Sequence, residues 1–240
     1  MMSVRKAVVW ILWCTAFTVP TAEMVAQYYE EKEYAPSEAR YVALGFLARD
    51  FTPRSSNALA DSLVIRYTRV MPIVSFRQGA GELMFGYARY TLAGSSKSTI
   101  FFGGRFGTEV PLAGRKASQL LFPLQLAVDY TKAEGIGPSK ENFNIASIGI
   151  GMGLKYRHFT SSVDFSIGVE ELVQFSTDGF GVGNGFSSAS IGDVVLLLHD
   201  VALLDGIAVG YRFRFQTWAM NESKFNYRSI SHGPYLGVIF

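Results

Sequence analysis

The chain has 240 residues, enough for one sizeable domain, and is 49% hydrophobic and 14% aromatic with only 18% charged residues and a formal net charge of +2. That near-balance, with no Lys/Arg run, excludes a basic nucleic-acid-binding surface. Past the first two dozen residues no run of about 18 apolar residues occurs, which excludes a helical membrane span there. The lone Cys14 excludes a disulfide or a Cys-ligated metal from the remainder.

At the N-terminus Arg5 and Lys6 precede the apolar run Ala7 to Phe17, and Val19, Pro20, Thr21 and Ala22 follow. A basic start, a short greasy middle and a small-residue end describe a secretory signal peptide over residues 1–22, cleaved between Ala22 and Ala26. A short membrane anchor is the alternative. A lipoprotein cleaved at Cys14 fits badly with the bulky Trp13 before it. Residues 23–38, which include Tyr28, Tyr29 and the mixed charges Glu30 to Glu33, read as a short extension ahead of a domain spanning 39–240.

From there the sequence alternates with period two, the pattern of strands whose faces meet different surroundings. Val42, Leu44 and Phe46 oppose Ala43 and Gly45, which makes Ala39 to Ala48 a first strand. Val70, Pro72, Val74 and Phe76 oppose Arg69, Ser75 and Arg77; Leu83, Phe85 and Tyr87 oppose Glu82, Gly86 and Ala88. Ile100, Phe102 and Phe106 oppose Gly103, Arg105 and Gly107. Leu120, Phe122, Leu124, Leu126, Val128 and Tyr130 oppose Gln125, Ala127, Asp129 and Thr131.

The alternation is cleanest further on. Ile148, Ile150, Met152, Leu154 and Tyr156 oppose Gly149, Gly151, Gly153, Lys155 and Arg157. Val163, Phe165, Ile167 and Val169 oppose Asp164, Ser166, Gly168 and Glu170. Ile191 to Leu198 is apolar on both faces apart from Asp193, so its orientation stays open. Ile207, Val209, Tyr211, Phe213 and Phe215 oppose Ala208, Gly210, Arg212, Arg214 and Gln216, and Ser229 to Phe240 closes the chain. The count is about ten.

Connections alternate too. Gln78 to Gly81, Phe159 to Ser162 and His199 to Gly206 are short; Phe51 to Asp61, Lys132 to Asn142, Ser176 to Gly185 and Trp218 to Tyr227 are longer and polar. Ala93 to Ser98 and Pro111 to Ser118 break the rule, one too short and one too long. An even number of strands of about ten residues, joined by turns and loops in alternation, predicts an all-β fold: a closed antiparallel up-and-down transmembrane β-barrel. In such a barrel the apolar face meets lipid and the mixed face lines the interior. The small residues and both signs of charge on that second face suit a narrow, crowded lumen. Tyr87, Tyr130, Tyr156 and Phe215 are expected near strand ends, as interfacial aromatics. A soluble secreted β-sandwich or lipocalin-like binder is the competing class.

The segment Pro234-Tyr235-Leu236-Gly237-Val238-Ile239-Phe240 ends on an aromatic, with Leu236 and Val238 on the same face. It resembles the C-terminal insertion signal of small bacterial outer-membrane β-barrel proteins. The resemblance implies an outer-membrane location, contact with the barrel-assembly machinery during insertion and with outer-membrane lipid afterwards, and a periplasmic position for residues 23–38.

The charge cluster expected in the lumen is Arg69, Arg77, Arg105, Asp129, Arg157, Asp164, Glu170, Asp193, Arg212 and Arg214. It reads either as an ion-paired filling or, for Arg105, Arg212 and Arg214, as the lining of a narrow transport or ligand-binding pore; the filling is favoured, because so few strands leave little open space. No catalytic grouping assembles: His158 and His199 fall at periplasmic turns, and His232 has lipid-facing parity. Gly179 to Gly185 lacks the helix that a phosphate-cradling loop needs, and Asp178 with Asn184 is too few ligands for calcium. No cofactor or metal is expected, and an extracellular ligand would meet the outer loops.

Overall fold

The computed structural model describes residues 39–54, 65–115, 117–135, 142–178, 183–201, 203–222 and 225–240. The expected signal peptide and the extension lie outside them. Ten strands follow in order: β1 Arg40–Pro53, β2 Tyr67–Gln78, β3 Gly81–Leu92, β4 Ser95–Arg115, β5 Ser118–Ala133, β6 Phe143–Phe159, β7 Val163–Asp178, β8 Asn184–Val201, β9 Leu204–Met220 and β10 Tyr227–Ile239. Each pairs antiparallel with its sequence neighbours, and β1 pairs with β10, which closes the ring. Closure leaves no sheet edge exposed, the condition under which strands can stand in hydrocarbon.

The strands run longer than the alternation suggested, from 12 to 21 residues. One consequence is at Pro111 to Ser118, expected as a long turn. There β4 continues to Arg115 and β5 begins at Ser118, with a register shift between Pro111 and Ala113. The short β3–β4 connection is a two-residue turn in which Ala93 and Gly94 both have positive φ, 45° and 77°. That pairing of left-handed residues matches the twist of a tight hairpin. Tyr130 and Tyr156 lie three residues from strand ends as expected, but Tyr87 and Phe215 lie well inside β3 and β9.

Facing is decided by exposure. Leu44, Ile150, Val173 and Leu236 are each about 60% exposed on the outside, whereas Ala127 and Ala208 are fully enclosed and Arg212 is 3% exposed. The same parity runs around the ring, so greasy side chains form the exterior and polar ones the interior. Asp193 settles the ambiguous strand β8: it points inward with Ile191, Val195 and Leu197, which puts Val194 on the outside.

Prolines mark where ladders break. Proline has no N–H to donate, so a continuous sheet can hold one only where a neighbour lets go. The β2–β3 ladder runs only from Ile73 opposite Gly86 to Gln78 opposite Gly81, and stops where Pro72 stands. The β5–β6 ladder skips from Leu121 to Leu124 around Pro123. The β1–β10 ladder skips from Gly45 to Ala48, opposite Gly233 and Pro234. Each of these prolines stays in register with the strand on its other side.

Substituting Ile150, at the middle of β6, by arginine is expected to weaken folding into lipid vesicles by about 2–4 kcal/mol, measured by urea titration. A solvent-facing position would tolerate the same change within about 0.5 kcal/mol.

Candidate functional site

The interior is built in three tiers along the barrel axis. At the end bearing the loops after β1, β5, β7 and β9, an aromatic stack fills the lumen. Phe51 stacks on Tyr67 and Tyr227 with ring centroids 5.4 and 4.8 Å away, and Phe143 meets Phe51 and Trp218 edge-on at 5.0 and 5.2 Å. Tyr67 stacks on Tyr90 at 4.3 Å and its hydroxyl lies 2.8 Å from Thr99 Oγ1. These contacts bridge β2 to β3 and β4 where the β2–β3 ladder is missing. None of these aromatics stood out in the sequence, because Phe51, Phe143, Trp218 and Tyr227 sit at or beyond the expected strand ends. Continuing the inward parity Tyr41, Ala43, Gly45, Leu47, Arg49 leads to Phe51.

The middle tier is ionic. Arg77, Asp193, Arg212, Glu82, Arg105 and Glu170 form one alternating chain of charge. Arg77 Nη1 and Arg212 Nη2 lie 2.7 and 2.9 Å from Asp193 Oδ2. Arg212 Nη1 lies 2.7 Å from Glu82 Oε1, Arg105 pairs with Glu82, and Arg105 Nη1 lies 2.5 Å from Glu170 Oε2. Only two of these pairs join adjacent strands; the others reach across the lumen, β2 to β8, β9 to β3 and β4 to β7. Beside the chain, Arg214 Nη2 lies 2.6 Å from Asp129 Oδ2, which also accepts from Gln174 Nε2 at 2.8 Å.

Toward the end bearing the chain termini, Arg157 pairs with Asp164, and Lys155 Nζ lies 2.8 Å from Glu109 Oε1. A small apolar cluster of Tyr41, Ala43, Val195, Leu197, Ala208, Tyr235 and Ile239 closes that end.

Nine of the ten expected lumen charges therefore meet in ion pairs. Arg69 does not. It has inward parity opposite Arg49 but is exposed. A like charge directly across the strand pair repels it, and the β3 ladder that would hold its strand stops four residues away. Glu82, Glu109 and Lys155 join the network though the sequence did not single them out. Arg49, in the last third of β1 and just past the expected strand end, is 3% exposed and has no carboxylate within 4 Å among the described residues.

His158 and His232 lie outside the lumen, whereas His199 shares the inward parity of Asp193 near the end of β8. His232 Nδ1 and Tyr211 Oη are 2.7 Å apart on the outer face, and His158 Nδ1 lies 2.8 Å from Ser118 Oγ on adjoining strands at the terminal end, with no carboxylate orienting the ring among the described residues. No cluster of three or more His, Cys, Asp or Glu side chains suited to a metal occurs among the described residues. Leu236, Val238 and Phe240 all face outward, 59, 46 and 58% exposed, and the Phe240 ring leans on Phe76 of β2.

No family model and no curated protein sequence matches the chain. Among solved structures it is similar to Neisserial surface protein A, at 17% identity and a TM-score of 0.32 over 84% of this chain and 97% of that one. It is also similar to the attachment invasion locus protein Ail of Yersinia pestis, at 8% identity and a TM-score of 0.28 over 85% and 100%. The outer membrane protease OmpT of Escherichia coli aligns at 7% identity and a TM-score of 0.40 over 87% and 98%. The ring of strands itself carries the fold. With ten strands closed, an apolar exterior and the charges enclosed, the chain is a transmembrane β-barrel.

Because Glu82 serves both Arg105 and Arg212, Glu82→Gln leaves two buried guanidiniums short of a carboxylate. It is expected to destabilise the barrel by about 3–5 kcal/mol, seen as a lower urea midpoint and a lower temperature of the heat-dependent gel shift. Asp50→Asn, which loosens only an exposed hydrogen bond from Thr68, should change either by less than about 0.5 kcal/mol.

Proposed function

We propose that the protein is a closed anchoring scaffold of the outer membrane, with a structural or surface-interaction role carried by its outer loops, rather than a pore or an enzyme. The single observation that supports this reading is that the lumen is occupied along its length. Among the described residues an aromatic stack, a charge network and an apolar cluster follow one another, with a cavity of about 10 Å³ between the first two. Ions crossing such an interior would have to break buried ion pairs, each costing several kcal/mol. The long connections 54–66, 134–142 and 221–226 share one end, which this reading places outside the cell, with both termini in the periplasm. Insertion by the barrel-assembly machinery through Leu236, Val238 and Phe240 belongs to the same proposal, since a machine that handles the strand from the lipid side would meet those three side chains.

Purified barrel in planar lipid bilayers is expected to give no steady conductance steps. Ion-selective openings that vanish when Arg105, Arg212 and Arg214 are neutralised would overturn the reading in favour of transport.

A further inference from the structure

Between the aromatic stack and the ionic chain lies the cavity of about 10 Å³, lined by Arg49, Arg212, Arg214, Gln216, Ser229 and Ser231 among others. Three buried polar atoms on this wall lack a hydrogen-bond partner among the described residues: Arg49 Nη1, Arg212 Nε and Gln216 Nε2. All three are donors. Their residues are only 2–3% exposed, so bulk water does not satisfy them.

The orientations are fixed by the other contacts of each group. Gln216 Oε1 accepts from Arg214 Nε and Nη2 at 3.3 and 3.1 Å, which leaves its amide nitrogen as the free end. Arg212 spends Nη1 on Glu82 and the Met84 sulfur and Nη2 on Asp193, leaving Nε. Arg49 spends Nε on Ser229 Oγ at 3.0 Å, and its guanidinium lies 5.5 Å from the Phe101 ring centroid, with Arg214 5.1 Å from the same ring.

Charge points the same way. Six enclosed cations, Arg77, Arg105, Lys155, Arg157, Arg212 and Arg214, meet six carboxylates. Among the described residues Arg49 is the seventh enclosed cation, and it borders the cavity. A buried, unpaired guanidinium is costly, and a ring partner offsets only part of that cost. A water molecule in the cavity could accept from two donors, yet it would bring two hydrogens to a wall whose unmet atoms are all donors.

We propose that this cavity binds one monoatomic anion of the halide class, chloride in salt solution, held by Arg49, Arg212 and Gln216. The anion supplies the missing negative charge and accepts from all three donors at once. With about 10 Å³ of open space, the cavity suits a single monoatomic ion, and the polyatomic sulfate and phosphate do not fit. The site is a structural one, enclosed in the wall-to-wall filling, and its absence would leave the closed-lumen reading standing.

The test uses the whole barrel refolded in detergent. Crystals grown in sodium bromide should show an anomalous peak in the cavity, within hydrogen-bonding reach of Arg49 Nη1. In solution, the folding equilibrium constant should rise up to tenfold for each tenfold increase in bromide or chloride above the dissociation constant, and should not respond to gluconate at equal ionic strength. Arg49→Met should abolish the halide response; should that variant fail to fold, Gln216→Leu should weaken the response. A cavity with water density and no anomalous signal, or stability equal in halide and gluconate, would overturn the proposal.

Discussion

Charges enclosed without water must find their partners in the protein, and most of this barrel's interior can be read from that constraint. Six cations and six carboxylates on the described strands satisfy one another, largely by reaching across the lumen rather than along one strand pair. Such pairs bring little net stability over an apolar filling of equal volume, because desolvation offsets the Coulomb attraction. What they supply is a penalty for error. A strand slipped by one residue would turn Arg212, Arg105 or Glu82 into hydrocarbon, at a cost of about 2–4 kcal/mol for an arginine near the midplane. The inward charges thus reject wrong registers more strongly than they favour the right one.

The ring also has to absorb irregularity without opening. Pro72, Pro123 and Pro234 each interrupt one ladder while staying in register with the opposite neighbour. The widest interruption is between β2 and β3, and there the inside takes over: Tyr67 against Tyr90 and Thr99 joins the strands through side chains. Close packing elsewhere depends on absent side chains. A Cβ on Gly149 would sit 2.0 Å from the carbonyl oxygen of Val173, so β6 and β7 approach this closely only with glycine at that position.

Much of this could be read from residue order. The alternation at Ile148 to Arg157, at Val163 to Glu170 and at Ile207 to Gln216 marks both faces directly, because the period of a strand is two whatever surrounds it. Strand ends were less legible. Exposed alternation fades where aromatics replace aliphatics, so Phe51, Trp218 and Tyr227 read as loop residues although they fill the lumen. Strand β8 carries apolar residues on both sides, and only the partners of Asp193 orient it. Arg69 shares inward parity with its paired relatives, but its exposure depends on where a neighbouring ladder stops.

The order of residues alone determined an all-β chain of about ten strands and the two faces of most of them, since these follow from local periodicity and from where turns can form; which face looks outward was decided by exposure in the closed ring. Which charge meets which was decided only by the closed ring. The pairs Arg77 with Asp193 and Arg214 with Asp129 join residues 116 and 85 positions apart, and no local pattern encodes a contact across a lumen. The same holds for Arg49, whose lack of a carboxylate partner among the described residues becomes visible only when the opposite walls are brought within reach.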